Sequence, residues 1–182
     1  MDSAVREAKP AGKVGWLILI FHLPREPSRH RVAVWRKLKT LGALYLQDGA
    51  AALPEDAVTR EQLEWIQLRI KEAGGEATLW EAVPNTVSEN KTLVEAFRAD
   101  REEAYRELIG AAERLRRKAA LRADGAPLLE ELEKIEREFR AERCRDYFGS
   151  PLRSTAETAL RETRQVLREA AYPTATRSAE EG

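Results

Sequence analysis

The 182-residue sequence contains a single cysteine and only two histidines. Because Cys144 is alone, no intrachain disulfide can form, which is typical of a protein of the reducing cytoplasm. Histidine and cysteine are too few for the usual zinc clusters. The sequence also lacks a phosphate-binding glycine loop, a dinucleotide-binding glycine fingerprint and a His-Glu-x-x-His motif. It therefore offers no cofactor site, and we do not expect an enzyme.

Long hydrophobic runs are missing as well. The longest apolar stretch, Trp16 to Phe21, is far shorter than the roughly 20 residues that a membrane-spanning helix needs. The first residues, MDSAVREAKPAGK, lack the apolar core of a secretory signal. These absences predict a cytoplasmic protein that has no membrane partner.

The chain has no net charge, since 31 Lys and Arg residues balance 31 Asp and Glu residues. Overall charge therefore gives no sign of a nucleic-acid partner. The distribution is uneven, however. Residues 1–41 carry nine cations and three acids, a net charge of +6, whereas residues 42–85 carry three cations and eight acids, a net charge of −5. Any basic surface is expected to come from the first quarter of the chain.

Residues 14–85 alternate strand and helix signals. The continuous apolar run 15–23 is rich in β-forming residues and predicts a central strand. A helix is predicted from Ser28 to Leu41, with Ser28 as a capping residue and Gly42 as the glycine that ends it. This region contains all four tryptophans, which we expect mainly in the core rather than on a base-stacking platform.

Two short strands, 43–46 and 50–53, are predicted to form a hairpin because Asp48-Gly49 is a tight-turn signal. The stretch Thr59-Arg-Glu-Gln62 has the form of a capping box and predicts a second helix, which ends at Gly74-Gly75. Residues 77–83 alternate as a last strand. The order βαββαβ predicts a ferredoxin-like α+β fold, in which an antiparallel sheet carries two helices on one face.

Residues 86–171 contain no strand signal. Apolar residues recur at helical spacing in three stretches, which are separated by Asp124-Gly125 and by Gly149-Ser-Pro151. We expect three amphipathic helices that pack on one another, on the sheet or on a second copy of the chain. Residues 1–13 are expected to be a flexible leader, and residues 172–182 a flexible tail.

The cations that follow the first strand are the strongest functional candidates. Val34, Trp35, Leu38 and Leu41 fall in one helical sector and are expected to face the sheet, which turns the cations toward solvent. Such a surface suits DNA phosphates, or an oxyanion such as chromate held by arginines. Gln47 and Asp48, in the hairpin turn, have two possible roles: they contact base edges, or they only form the turn. The predicted DNA-binding residues are Arg25, Arg29, Arg31, Arg36, Lys37, Lys39, Gln47 and Asp48.

Other interpretations of the charges stay open. The acids of residues 55–81 can lie beside the basic helix and neutralise it, which would leave an ordinary solvated face. A second basic run, at residues 114–118, lies near the end of a predicted helix, where cations complement the helix dipole and need no further role.

Residues 16–54 carry a family resemblance. They combine a strand ending in Leu-Pro, a basic helix with a Trp and a Leu-x-x-Leu-Gly end, then Leu-Gln-Asp-Gly and a second Leu-Pro. Together with the charged helices and the segment AERCRDYFGSPLR, this pattern resembles the amino-terminal domain of the chromate-resistance regulator family (ChrB). The resemblance covers about residues 14–170. It implies regulation of a chromate-resistance operon, with operator DNA as the partner and chromate as the signal.

Family members carry a second domain associated with chromate sensing, which this sequence does not include. We expect either a protein that works with a separately encoded sensing domain or a domain that keeps binding without sensing. The competing class is a protein-interaction module, in which the long helices bind a partner or form a homodimer. An enzyme ranks third. The same stretch more distantly resembles the small CRISPR adaptation nuclease, but His22 stands where that family has a carboxylate.

Overall fold

The structure, a computed structural model, describes residues 15–121 and 125–171. The predicted leader, 1–13, and the predicted tail, 172–182, lie outside the described residues. The strands are β1 (Trp16–His22), β2 (Leu44–Gln47), β3 (Ala50–Pro54) and β4 (Glu76–Ala82). The helices are α1 (Ser28–Leu41), α2 (Ala57–Glu72), α3 (Val87–Ala120), α4 (Gly125–Arg145) and α5 (Arg153–Ala171).

The four strands form one antiparallel sheet in the order β2-β3-β1-β4. This order confirms the predicted α+β fold with a ferredoxin-like sheet followed by helices. β1 lies inside the sheet because it is apolar along both faces and can pack on either side. The predicted ends of β2 and β4 are each one residue away from the observed ends, since ladder hydrogen bonds rather than apolar pattern fix where a strand stops.

One face of the sheet carries α1 and α2. Leu17 and Leu19 of β1 have no solvent-exposed surface and belong to the same core as Leu38 of α1 and Leu63 of α2. Each fully buried leucine contributes on the order of 1.5–3 kcal/mol relative to an exposed one. The apolar stripes that define the two helices in the sequence are therefore the surfaces that attach them to the sheet.

The start of α2 differs from the predicted start. Thr59 does not occupy the cap position. Asp56 is the N-cap, and its carboxylate accepts a hydrogen bond from the Thr59 backbone N–H at 2.8 Å, while the Thr59 hydroxyl accepts one from the Asp56 N–H at 3.0 Å. The reciprocal pair is a capping box shifted three residues toward the N-terminus. β3 ends at Pro54, two residues before Asp56, and α2 begins at Ala57 directly after this cap.

Replacing Asp56 with alanine is expected to lower the free energy of unfolding by about 1 kcal/mol, because the first turn of α2 loses its side-chain acceptor. Glu61→Ala, at an exposed position of the same helix, is the matched control and is expected to change stability by less than about 0.5 kcal/mol. Urea denaturation followed by circular dichroism measures both. Equal effects of the two substitutions would contradict this cap assignment.

The prediction that the tryptophans lie mainly in the core is wrong for three of the four. Trp16 is 1% exposed, whereas Trp35, Trp65 and Trp80 are 49%, 56% and 57% exposed. Trp16 lies at the start of β1 and packs against Phe97 and Phe148, with ring centroids 5.4 and 5.7 Å apart. The sequence does not show which of the four tryptophans is buried. A residue at the edge of an apolar stripe is buried only where a neighbouring helix or strand packs against it.

The described chain divides into two compact units. One consists of the residues up to Ala99 together with Cys144–Gly149, and the other consists of Asp100–Arg143 and the residues from Ser150 onward. In the first unit, the Tyr147 hydroxyl donates to the Leu41 carbonyl at 2.8 Å, which ties the returning segment to the end of α1. The division falls at residue 99, inside α3, whereas β4 ends at Ala82 and α3 begins at Val87.

The second unit is helical. Its core contains Tyr105, Leu115, Leu132 and Phe139, all buried and drawn from α3 and α4, and residues of α5 complete it. The buried Thr163 hydroxyl of α5 donates to the Ala112 carbonyl of α3 at 3.0 Å. The three helices expected after the sheet are thus confirmed, and the apolar residues of α4, α5 and the second part of α3 form this core.

Candidate functional site

Helix α1 is the element that positions most of the predicted site residues. Its buried stripe, Val34 and Leu38, faces the core, and Gly42 ends the helix in the left-handed conformation with φ +71°. Two predictions about this helix are wrong. Ser28 is its first residue rather than its cap, because Pro27 occupies the cap position without a side-chain hydrogen bond. Trp35 is half exposed, because it lies beside the buried stripe and not within it.

All six predicted cations are exposed to solvent. None of them forms a salt bridge with a carboxylate of the residues that the structure describes. Cations without an ion-pair partner are accessible to a ligand, and the neutralisation considered from the sequence does not occur through direct ion pairs in this part of the chain. The six are Arg25, Arg29, Arg31, Arg36, Lys37 and Lys39.

Three acids of residues 55–81 have contacts other than these cations or share a concavity with one of them. Glu55 and Glu81 both pair with Arg60 of α2, and the hydrogen bonds that they accept raise the pKa of that guanidinium, with the bond to Glu81 the larger cause. Glu72 lines a concavity of about 610 Å³ between α1 and α2, which Lys37 also lines. Lys37 and Glu72 therefore share a concavity, although no ion pair joins them.

A second concavity, which we call the β1–α1 concavity, lies where β1 ends. It has a volume of about 630 Å³ and is bounded by three separate segments of the chain: the end of β1 with the following loop, one flank of α1, and the β2–β3 hairpin. The lining residues are Phe21, His22, Leu23, Arg25, Arg31, Val32, Trp35, Tyr45, Asp48 and Gly49.

The structure brings three of the eight predicted residues together in this concavity, namely Arg25, Arg31 and Asp48. Arg29 and Arg36 are on the outer, solvent-facing side of α1, because successive helical residues are about 100° apart and these two lie opposite the buried stripe. The predicted cations therefore do not form one surface: Arg25 and Arg31 line the concavity, whereas Arg29 and Arg36 lie on the outer side of α1.

Gln47 lies on the other face of the sheet from the concavity. In the ladder, Tyr45 stands opposite Ala51 and Gln47 stands opposite Ala50, with a register irregularity between them. Because adjacent residues of a strand point to opposite faces, this bulge places Tyr45 and Gln47 on opposite faces although they are two residues apart. Prediction from a regular strand cannot detect such a shift.

Sequence reasoning missed the aromatic part of the concavity. Trp35 and Tyr45 are 49% and 38% exposed, and His22 is exposed beside them. The Lys39 Nζ lies 5.1 Å from the centroid of the Trp35 ring, over one face. Partial burial raises the pKa of the Tyr45 hydroxyl, which therefore remains a neutral donor at neutral pH. The signal available in the sequence was the position of Trp35 about 90° from the centre of the helix stripe.

The second basic run is partly engaged in ion pairs of the helical unit. Arg116 pairs with Glu162 of α5, and Lys118 pairs with Glu131 of α4 at 2.9 Å. These pairs agree with a structural role for the run. Within residues 15–121 and 125–171, no three His, Cys, Asp or Glu side chains are grouped as a metal site would require. None of the described helices combines the length and the apolar composition of a membrane-spanning segment.

The fold and this surface define a class of protein: a ferredoxin-like α+β domain with a helical extension and an aromatic, arginine-lined concavity. The family model described as Protein ChrB, N-terminal, matches residues 31–176. The chain therefore belongs to this family, as the resemblance of residues 16–54 implied.

A curated relative from Cupriavidus metallidurans, Protein ChrB, is 45% identical over 42 residues. The matched stretch covers 23% of this chain and 13% of that protein. The comparison thus concerns a small part of the relative's length. No solved structure matches the chain.

Proposed function

We propose that the chain is a cytoplasmic, DNA-associated transcriptional regulator of chromate resistance, in which α1 supplies phosphate contacts. The observation that carries the proposal is the set of exposed cations on and beside α1 without ion-pair partners among the described residues. Arginines in this state bind phosphate through forked hydrogen bonds, and lysines add point charges. Operator DNA is the proposed partner, and chromate is the proposed signal.

The second candidate is a protein-interaction module, and a specific observation favours it. Val58, Trp65 and Leu68 are 53%, 56% and 46% exposed on α2, so a helix face beside the basic one is apolar and open. Exposed aromatic and aliphatic side chains are typical of surfaces that bind a partner or a second copy of the chain. In this case the cations of α1 would be only the solvated rim.

Charge reversal of the outer cations tests the first candidate. The variant Arg29→Glu, Arg36→Glu, Lys37→Glu, Lys39→Glu is expected to fold, because all four side chains are exposed. Phosphate contacts release counterions, so the affinity of wild type for a duplex from its own promoter should fall steeply with salt. In the variant, the slope of log affinity against log salt should become less steep by about 3–4 units. Fluorescence anisotropy over a salt series measures both.

The matched control carries the same change of charge on the helical unit: Arg117→Glu, Lys134→Glu, Arg137→Glu, Arg168→Glu, all at exposed positions. It is expected to keep a slope within about one unit of wild type, because local contacts rather than total charge determine it. If the α1 variant binds as well as wild type, the α1 cations are not the DNA site. If wild type itself does not bind duplex at low salt, the interaction-module candidate replaces the DNA-binding one.

A further inference from the structure

We propose that the β1–α1 concavity binds a single nucleotide, with the phosphate on Arg25 and Arg31 and the base against Trp35 and Tyr45. This inference goes beyond the proposed association with DNA and is argued independently of it. It assigns to the concavity a ligand class that phosphate contacts on the outside of α1 do not require.

The first argument is the pairing of aromatic and cationic groups. Trp35 and Tyr45 leave much of their surface exposed at a site whose volume, about 630 Å³, is within the range of about 300–1,000 Å³ that small ligands occupy. Trp35 is 49% exposed and lines the concavity, and Lys39 lies 5.1 Å from its ring centroid, so the ring already takes part in one cation–π contact. Every nucleobase has a flat face that stacks on such a ring.

The second argument is the state of the charged groups. Arg25 and Arg31 form no salt bridge with a carboxylate of the described residues, although Asp48 lines the same concavity. Two guanidinium groups supply forked donors that match the oxygens of a phosphate. A simple anion would use these donors, but it would gain nothing from the two aromatic rings.

The third argument is the single carboxylate. Asp48, in the hairpin turn, is exposed, and its carboxylate makes no hydrogen bond or ion pair with the described part of the chain. A carboxylate accepts hydrogen bonds and repels phosphate, so at a phosphate site its useful partner is the ligand's amino group. Cytosine, adenine and guanine carry an exocyclic amino group, and thymine does not. The concavity should therefore prefer dCMP, dAMP or dGMP to dTMP.

Four Trp side chains provide a direct measurement by NMR. In ¹⁵N-labelled protein, titration with dCMP should shift the indole N–H signal of Trp35, assigned by its loss in Trp35→Phe. The signals of Trp65 and Trp80, equally exposed but outside the concavity, should not move. Deoxycytidine and inorganic phosphate, the two halves of the ligand, are each expected to bind about tenfold more weakly than dCMP.

Two substitutions sharpen the test. Trp35→Ala should weaken dCMP binding about tenfold, whereas Trp65→Ala, the matched exposed tryptophan of α2, should leave it unchanged. Asp48→Asn should reduce the preference for dCMP over dTMP. A short single-stranded oligonucleotide of deoxycytidine shows whether the natural ligand is a nucleotide of a strand or a free nucleotide. A site for strand nucleotides binds the oligonucleotide at least as well as dCMP, whereas a site for free nucleotides excludes it.

The outcomes separate this inference from the proposed function. If inorganic phosphate binds as tightly as dCMP, the concavity is an anion site and the nucleotide assignment is overturned. If dCMP shifts no indole signal while duplex binding keeps its salt dependence, the inference fails and DNA association stands. If dCMP binds as described and no DNA binds, the concavity is a free-nucleotide site and the proposed DNA association fails.

Discussion

Replacing Trp16 with alanine is expected to lower the free energy of unfolding of the sheet-containing unit by about 3–5 kcal/mol. The side chain is 1% exposed and packs against Phe97 and Phe148. Its Nε1–H also donates to the Oδ1 of Asn90 at 2.9 Å. The substitution therefore removes a large apolar volume, two ring contacts and a buried hydrogen bond at once. Since small domains are stable by only about 5–15 kcal/mol, the loss is a large share of the total.

Trp80 is the matched control because it lies on β4 of the same sheet and is 57% exposed. Trp80→Ala should cost less than about 1 kcal/mol, because much of its ring is in water already. Trp16→Phe should fall between the two, since it keeps an aromatic ring and loses the donor to Asn90. Guanidinium denaturation measures all three. Similar losses for the two alanine variants would show that the burial of these tryptophans is not as the structure has it.

Replacing Gly49 with alanine is expected to lower the free energy of unfolding by about 3 kcal/mol, from two separate causes. Its φ of +76° is left-handed, which costs an alanine on the order of 1–2 kcal/mol. In addition, the new Cβ would lie 2.5 Å from the carbonyl oxygen of Phe21, a backbone atom that cannot rotate away. Movement of either segment would lengthen the 2.7 Å hydrogen bond from the Phe21 N–H to the Gly49 carbonyl.

Gly74 separates the two causes. It has φ +75°, nearly the same as Gly49, and a Cβ there meets nothing within 4 Å. Gly74→Ala should therefore cost only the left-handed backbone term, about 1–2 kcal/mol. The difference between the two variants measures the close approach of the hairpin to β1. Equal losses in thermal or urea denaturation would mean that this approach is looser than the structure has it.

Most of the fold follows from local patterns in the sequence. The apolar run at residues 15–23 predicts β1, Asp48-Gly49 predicts the hairpin, and the apolar stripe of residues 28–41 predicts α1. These signals succeed because they depend on geometry within one element, a period of two in strands and 3.6 in helices. The predicted start of α2 is three residues too late because Asp56 and Thr59 can both act as N-cap residues. The sequence does not show which of them follows the end of β3 in the cap position.

The candidate site was predictable only in part. The concentration of positive charge before residue 41 identified α1 and its loop, because charge counts need no tertiary structure. The concavity itself joins residues 21–25, 31–35 and 45–49, three segments that the topology of the sheet brings together. The bulge after Tyr45 removed Gln47 from it, and a bulge is a property of the strand pair rather than of one strand.

The sequence by itself determined the order of the elements, the buried residues Val34 and Leu38 of α1, and the exposure of the outer cations of α1. Only the tertiary structure decided that Trp16 is buried while Trp35 is half exposed, and that Arg25, Arg31 and Asp48 line one concavity. The physical reason is the same in both cases. Periodicity fixes which side of an element is apolar, but whether a residue at the edge of that side meets solvent, a ligand or the core depends on which other element packs beside it.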